Sequence, residues 1–126
     1  MNDWQAFDAF WNGFGSPAYD ETTAFTEGTQ LSYPHITYES ASGTAFSKTQ
    51  LSANIWYRTH SMKAIKEKAD EIRRAFEPYV LLKVDRGYVL CTISESIPFA
   101  RSIASGDEDE QIKRVLIMYD VEFLHH

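Results

Sequence analysis

The chain has 126 residues, 44% hydrophobic, 14% aromatic and 24% charged. This is the size and composition of one globular domain, and it excludes collagen-like, low-complexity and highly charged disordered chains. Eighteen acids against twelve bases leave a net charge of −6, which argues against a protein that lives on phosphate contacts or on a polybasic membrane surface.

The lone Cys91 excludes an internal disulfide and an all-cysteine zinc site. Met1-Asn2-Asp3-Trp4 lacks the basic and apolar regions of a secretory signal. The longest apolar run, Val115 to Tyr119, is far short of the ~20 residues that a membrane helix needs. A cytoplasmic chain with no membrane partner is therefore expected.

Residues 3–12 predict a helix. Trp4, Phe7, Trp11 and Phe14 recur at steps of 3, 4 and 3, with Phe10 beside them. Asn2 or Asp3 suits its cap, and Gly13 and Gly15 stop it. Residues 13–32 show no periodicity and read as a long loop. Residues 34–40 predict a short strand with Ile36 and Tyr38 inward.

A long strand then spans 46–59, where Leu51, Ala53, Ile55 and Tyr57 alternate with polar positions. Fourteen extended residues cover about 45 Å, against a diameter of roughly 36 Å for a compact chain of this length. The strand must bend or project, and a projecting hairpin is a natural arm for a neighbouring subunit. Phe46, Lys48, Gln50, Trp56 and Arg58 are therefore candidate oligomer contacts.

Ser61 caps a second helix over 62–76, whose apolar stripe is Met62, Ile65, Ala69, Ile72 and Phe76. Its other face offers Lys63–Glu67, Lys66–Asp70 and Asp70–Arg74 at i,i+4. Val80, Leu82 and Val84 form one strand of a hairpin, and Val89, Cys91 and Ile93 the other, around Asp85-Arg86-Gly87. Cys91 reads as a buried small hydrophobe. A second loop covers 95–110, and a last strand over 111–123 turns Val115, Ile117, Tyr119, Val121 and Phe123 to one face.

The order is α-β-β-α-β-β-β over a single domain of residues 1–126. The expected fold is α+β, a mainly antiparallel sheet of about five strands with two helices on one face and a long projecting β-hairpin.

No catalytic signature is present: no G-x-S-x-G, H-E-x-x-H, P-loop or G-x-G-x-x-G. Gly13-Phe14-Gly15 follows a helix rather than a strand, so it is no dinucleotide turn. The acidic run Asp107, Glu108, Asp109 and Glu110 lacks the spaced ligands of an EF-hand. His35 and His60 have no histidine partner at metal-ligand spacing. No catalytic residue, metal or cofactor is expected. Two long loops, an overlong strand and an aromatic-rich helix fit an assembly component better than a pocket enzyme.

Several segments resemble the tail terminator and minor tail, or head–tail joining, proteins of long-tailed bacteriophages and prophages. They are Phe10 to Glu21, Tyr33 to Glu39, Leu51 to Arg58, Ala69 to Ile72, Pro98 to Arg101, the acidic loop, and Arg114 to Ile117 through Val121 to Leu124. In order they cover most of the chain. The resemblance implies a non-enzymatic virion assembly protein, an α+β subunit of a hexameric ring that caps the tail tube and meets the head-completion or connector protein. It also implies a place in the virion tail, reached from the host bacterial cytoplasm. DNA would pass through the ring without specific binding. The charge cluster alone, not the resemblance, suggests that Asp107–Glu110 line such a lumen, where negative charge repels phosphate.

Two rivals remain. One is a small-ligand-binding or enzymatic α+β domain with a pocket near His35 or His60. The other is single-strand nucleic-acid binding on the sheet through Trp56, which the net charge opposes.

Overall fold

The computed structural model describes residues 1–22 and 31–126. Among them lie two helices and seven strands. In chain order these are α1 (Asp3–Asn12), β1 (Ala18–Asp20), β2 (His35–Tyr38), β3 (Lys48–Arg58), α2 (Lys63–Ala75), β4 (Val80–Val84), β5 (Gly87–Thr92), β6 (Ala100–Ile103) and β7 (Ile112–His125). The fold is α+β, as expected.

The sheet runs β1-β2-β3-β7-β5-β4, with β6 also on β7. β7 is its spine. One edge of β7 pairs with all of β3, from Lys48↔Glu122 to Arg58↔Ile112. Its other edge pairs with β6 near its start, Ala100↔Ile117, and with β5 near its end, Cys91↔Val121.

The helices form as the periodicity predicts. Asn2 and Gln5 make a reciprocal capping box on α1. Ser61 Oγ accepts the Lys63 N–H at the start of α2 at 3.0 Å. Both helices pack on one sheet face. There Phe7, Trp11, Ile65, Ile72 and Phe76 meet Ile36, Tyr38, Ile55, Ile117, Tyr119 and Phe123 in one core. Trp11 contacts the rings of Tyr38, Tyr119 and Phe76 at 5.8–6.4 Å.

The structure differs from expectation in several particulars. The sheet is mixed, because β1 and β2 are parallel. β1 lies in the stretch read as loop, whose residues 23–30 fall outside the described residues, and β6 lies in the second such stretch. Both strands are short, at 3 and 4 residues, too brief for alternation to show. β3 is no projecting arm: its 11 residues are matched one for one by β7. The extra length is absorbed by a partner strand of 14 residues instead. On α2 the three expected i,i+4 pairs do not form. Lys68–Glu71 at 2.7 Å, Arg73–Asp70 at 3.7 Å and Arg73–Glu77 replace them.

Candidate functional site on the outer sheet face

Both α1 and α2 cover one face of the sheet; the strands also present a second, outer face. Direct cross-strand neighbours set out the side chains of that outer face in rows. One row is His35, Trp56, Arg114 and Ile103; the next is Thr37, Asn54, Leu116 and Arg101. Further along come Gln50, Asp120 and Thr92, then Lys48, Glu122, Leu90 and Leu81.

On β2, β3 and the start of β7 the first two rows form a polar network. His35, Thr37 and Asn54 are only 3–5% exposed. The rings of His35 and Trp56 stack at 6.1 Å with 16° between planes, and the Arg114 guanidinium lies 5.1 Å from the Trp56 ring. Diagonal hydrogen bonds lock the rows together. Trp56 Nε1 donates to Thr37 Oγ1 at 2.9 Å, and Arg114 Nε donates to Asn54 Oδ1 at 2.7 Å. Burial holds the His35 pKa below its ordinary value, opposed by the Ser32 carbonyl that accepts from Nδ1. Trp56, with His35 on one side and Arg114 on the other, is not an open stacking platform.

Glu39 ends the β2–β3 ladder. Its backbone N–H donates to the Ser52 carbonyl at 2.9 Å, and its Oε1 accepts from Ser52 N and Oγ at 2.7 and 2.6 Å. Beyond it, residues 48–51 of β3 have β7 on one edge and no paired strand on the other, among the described residues.

Phe46 stands next to this open edge. It is 68% exposed and sits at φ 62, a left-handed conformation that costs a side-chain-bearing residue. Backbone bonds hold it there: Phe46 N to Phe123 O at 2.7 Å, and Phe123 N to Ser47 O at 2.9 Å. Lys48 is exposed, 4.0 Å from Glu122, and Gln50 Nε2 donates to Asp120 at 3.4 Å. A shallow groove of about 350 Å³ runs beside them, over Leu90 and Thr92. Leu81 and Tyr88 are exposed on the neighbouring hairpin.

The five sequence-predicted contacts therefore do not form one patch. Phe46, Lys48 and Gln50 gather at one end of β3. Trp56 and Arg58 lie at the other, roughly 33 Å from Lys48 to Arg58. Arg58 instead meets the acidic loop, donating from Nε to Asp109 Oδ2 at 2.9 Å. The Gln111 N–H and then Arg58 hold the Asp109 carboxyl below the usual carboxylate range. Asp107 Oδ1 accepts the Asp109 N–H at 2.9 Å, so these two acids shape the loop itself. Glu108 and Glu110 make no side-chain bond among the described residues.

Cys91 is buried and free, and burial pushes its thiol up to about 12. His60 lies exposed, 3.5 Å from Gln111 Nε2. Among the described residues no group of three or more His, Cys, Asp and Glu side chains is placed to hold a metal ion. No helix there is long and apolar enough to cross a membrane.

Sequence reasoning missed the His35–Trp56–Arg114 row, which needs the strand register to be seen. It also missed a buried pair on the helix side, where His125 Nε2 lies 3.2 Å from Asp3 Oδ1 and Ser42 Oγ donates to Asp3 Oδ2 at 2.9 Å. No protein-family model, curated protein or solved structure matches the chain.

Proposed function

We propose that the chain is a non-enzymatic virion assembly protein of a bacteriophage or prophage, acting as a tail terminator. Copies would form a ring that caps the tail tube and joins it to the head connector. The observation that carries this reading is the Phe46–Lys48–Gln50 end of β3. There an exposed aromatic is held in a costly backbone conformation beside an unpaired strand edge. Such a feature lowers the stability of the isolated subunit, which makes sense where a neighbour covers it. Leu81 and Tyr88, exposed on the outer face, support the same reading.

A ring requires heterologous contacts, in which two different surfaces of one subunit meet. Phe46, Lys48 and Gln50 would supply one of them, and the Trp56–Arg58 end a separate contact. Asp107–Glu110 would face the lumen and repel passing DNA. The protein would act in the virion tail after assembly in the host cytoplasm.

Light scattering on a sizing column, over a range of concentrations, tests the reading. The expected species approaches roughly 87 kDa, six copies of a 14.5 kDa chain. A monomer at every concentration, with or without the tail tube protein, counts against it. Replacing Glu108 and Glu110, whose side chains make no bond among the described residues, by Gln should leave ring mass unchanged and impair genome passage. Unchanged infectivity removes the lumen assignment.

A further inference from the structure

His35 is 5% exposed and lies on the sheet face opposite α1 and α2. Its Nδ1–H donates to the Ser32 carbonyl at 2.9 Å, which fixes the neutral tautomer with a bare Nε2. Among the described residues, no donor or acceptor meets that Nε2. The stacked Trp56 lies against the ring, and the rings of Tyr19 and Tyr33 stand at 6.3 and 5.0 Å.

The titratable and charged groups facing it are few. Tyr19 comes from β1 and Tyr33 from the segment before β2. Arg114 of β7 lies beyond the indole that β3 supplies. Asp107 and Asp109 act on the Tyr33 hydroxyl rather than on the imidazole. No carboxylate stands within ion-pair distance of His35 among the described residues, and α1 and α2 lie on the opposite face.

We infer that His35 is an acid-sensitive latch. A proton on Nε2 loosens the His35–Trp56–Arg114 row and, with it, the β1–β2 end of the sheet. Protonation adds an N–H in a buried place with no acceptor among the described residues, and a second cation across one indole from Arg114. The indole attracts an imidazolium, but at 6.1 Å the ring is at the limit of such contact, and Arg114 already draws on the same π system. Burial therefore outweighs that attraction, consistent with the lowered pKa of this histidine. Strain on the row passes to two bonds, Trp56 Nε1 to Thr37 Oγ1 and Ile36 N to the Pro17 carbonyl, which tie β3 and the approach to β1 onto β2.

The unfolded chain takes up the His35 proton near pH 6.5 and the folded chain only below it. Folding stability therefore falls as the pH drops from 6.5 toward the folded value.

The chain has three tryptophans, hence three indole N–H signals in an NMR spectrum. Lowering the pH of the full chain from about 7.5 to about 5 should titrate His35 with a midpoint below 6.5. The Trp56 indole signal should move with the same midpoint while that of Trp11 stays. Hydrogen-exchange protection at the Trp56 indole and the Ile36 amide should fall about tenfold, with Ile117 in β7 unaffected. In His35→Gln the Trp56 signal should no longer respond over this range.

A His35 midpoint at or above 6.5 overturns the inference. So does a Trp56 signal that stays fixed while His35 protonates, or an equal acid response in His35→Gln. If that variant does not fold, the coincidence of the two titrations in the natural chain decides alone.

Discussion

Trp4 and Trp11 occupy nearly the same side of α1, because seven residues fall about 20° short of two full turns. Around the helix they cannot be told apart. Along it they lie about 10 Å apart, and that distance separates a 51% exposed indole from a fully buried one. Trp11 ends over the rings of Tyr38, Tyr119 and Phe76. Trp4 lies instead beside the acids Asp20, Glu21 and Glu39. Replacing Trp11 by Ala should cost about 3–5 kcal/mol of unfolding free energy, read by urea denaturation. Trp4→Ala should change it by about 0.5 kcal/mol or less. Equal losses at the two positions would show that the aromatic stripe is buried as one unit. The spacing of Trp4, Phe7, Trp11 and Phe14 reports a helix and its face; it carries no information on how far the sheet extends beneath that helix.

At the scale of elements, one side chain manages a sheet edge. Asn12, the last residue of α1, accepts from the Ala18 N–H at 3.1 Å and donates to the Ala18 carbonyl at 3.2 Å. Its amide acts as a single peptide group laid against β1 and blunts that edge. Asn12→Ala should remove both bonds and cost about 1–3 kcal/mol. The loss should appear first as faster hydrogen exchange in β1. Asn12→Asp should cost more, since a carboxylate cannot donate to the Ala18 carbonyl and would face Asp8. Asn12→Ala with unchanged exchange in β1 would show that the edge is held by other contacts.

β1 is also where sequence reasoning fails, for a physical reason. Three residues that pair in parallel with β2 and borrow a side chain for their other edge have no periodicity to read. Long elements are different. Val115 to Phe123 alternates through five inward positions, and that pattern gives the inner face of β7 directly. The expected α+β layering follows from such elements. The register does not, and the His35–Trp56–Arg114 row exists only through the register.

For the whole molecule, the governing fact is a sheet that packs both α1 and α2 on the same face. The inner face is closed by a continuous aromatic and aliphatic core. The outer face carries a polar network at one end, and at the other Phe46, Leu81 and Tyr88 are exposed. Phe46 is the sharpest instance of a subunit that carries a cost by itself. An Asn tolerates the left-handed backbone at that position better than Phe does. Phe46→Asn should therefore leave the isolated subunit as stable or stabilise it by up to about 1 kcal/mol. It should weaken assembly, because the exposed ring is lost.

The direct test is the molar mass of natural chain and Phe46→Asn, measured by light scattering at matched concentrations. A ring-sized species is expected for the natural chain, with a shift toward the 14.5 kDa monomer for a variant that melts no lower. A ring that forms equally well without the Phe46 ring, or a natural chain that stays monomeric throughout, would contradict this expectation.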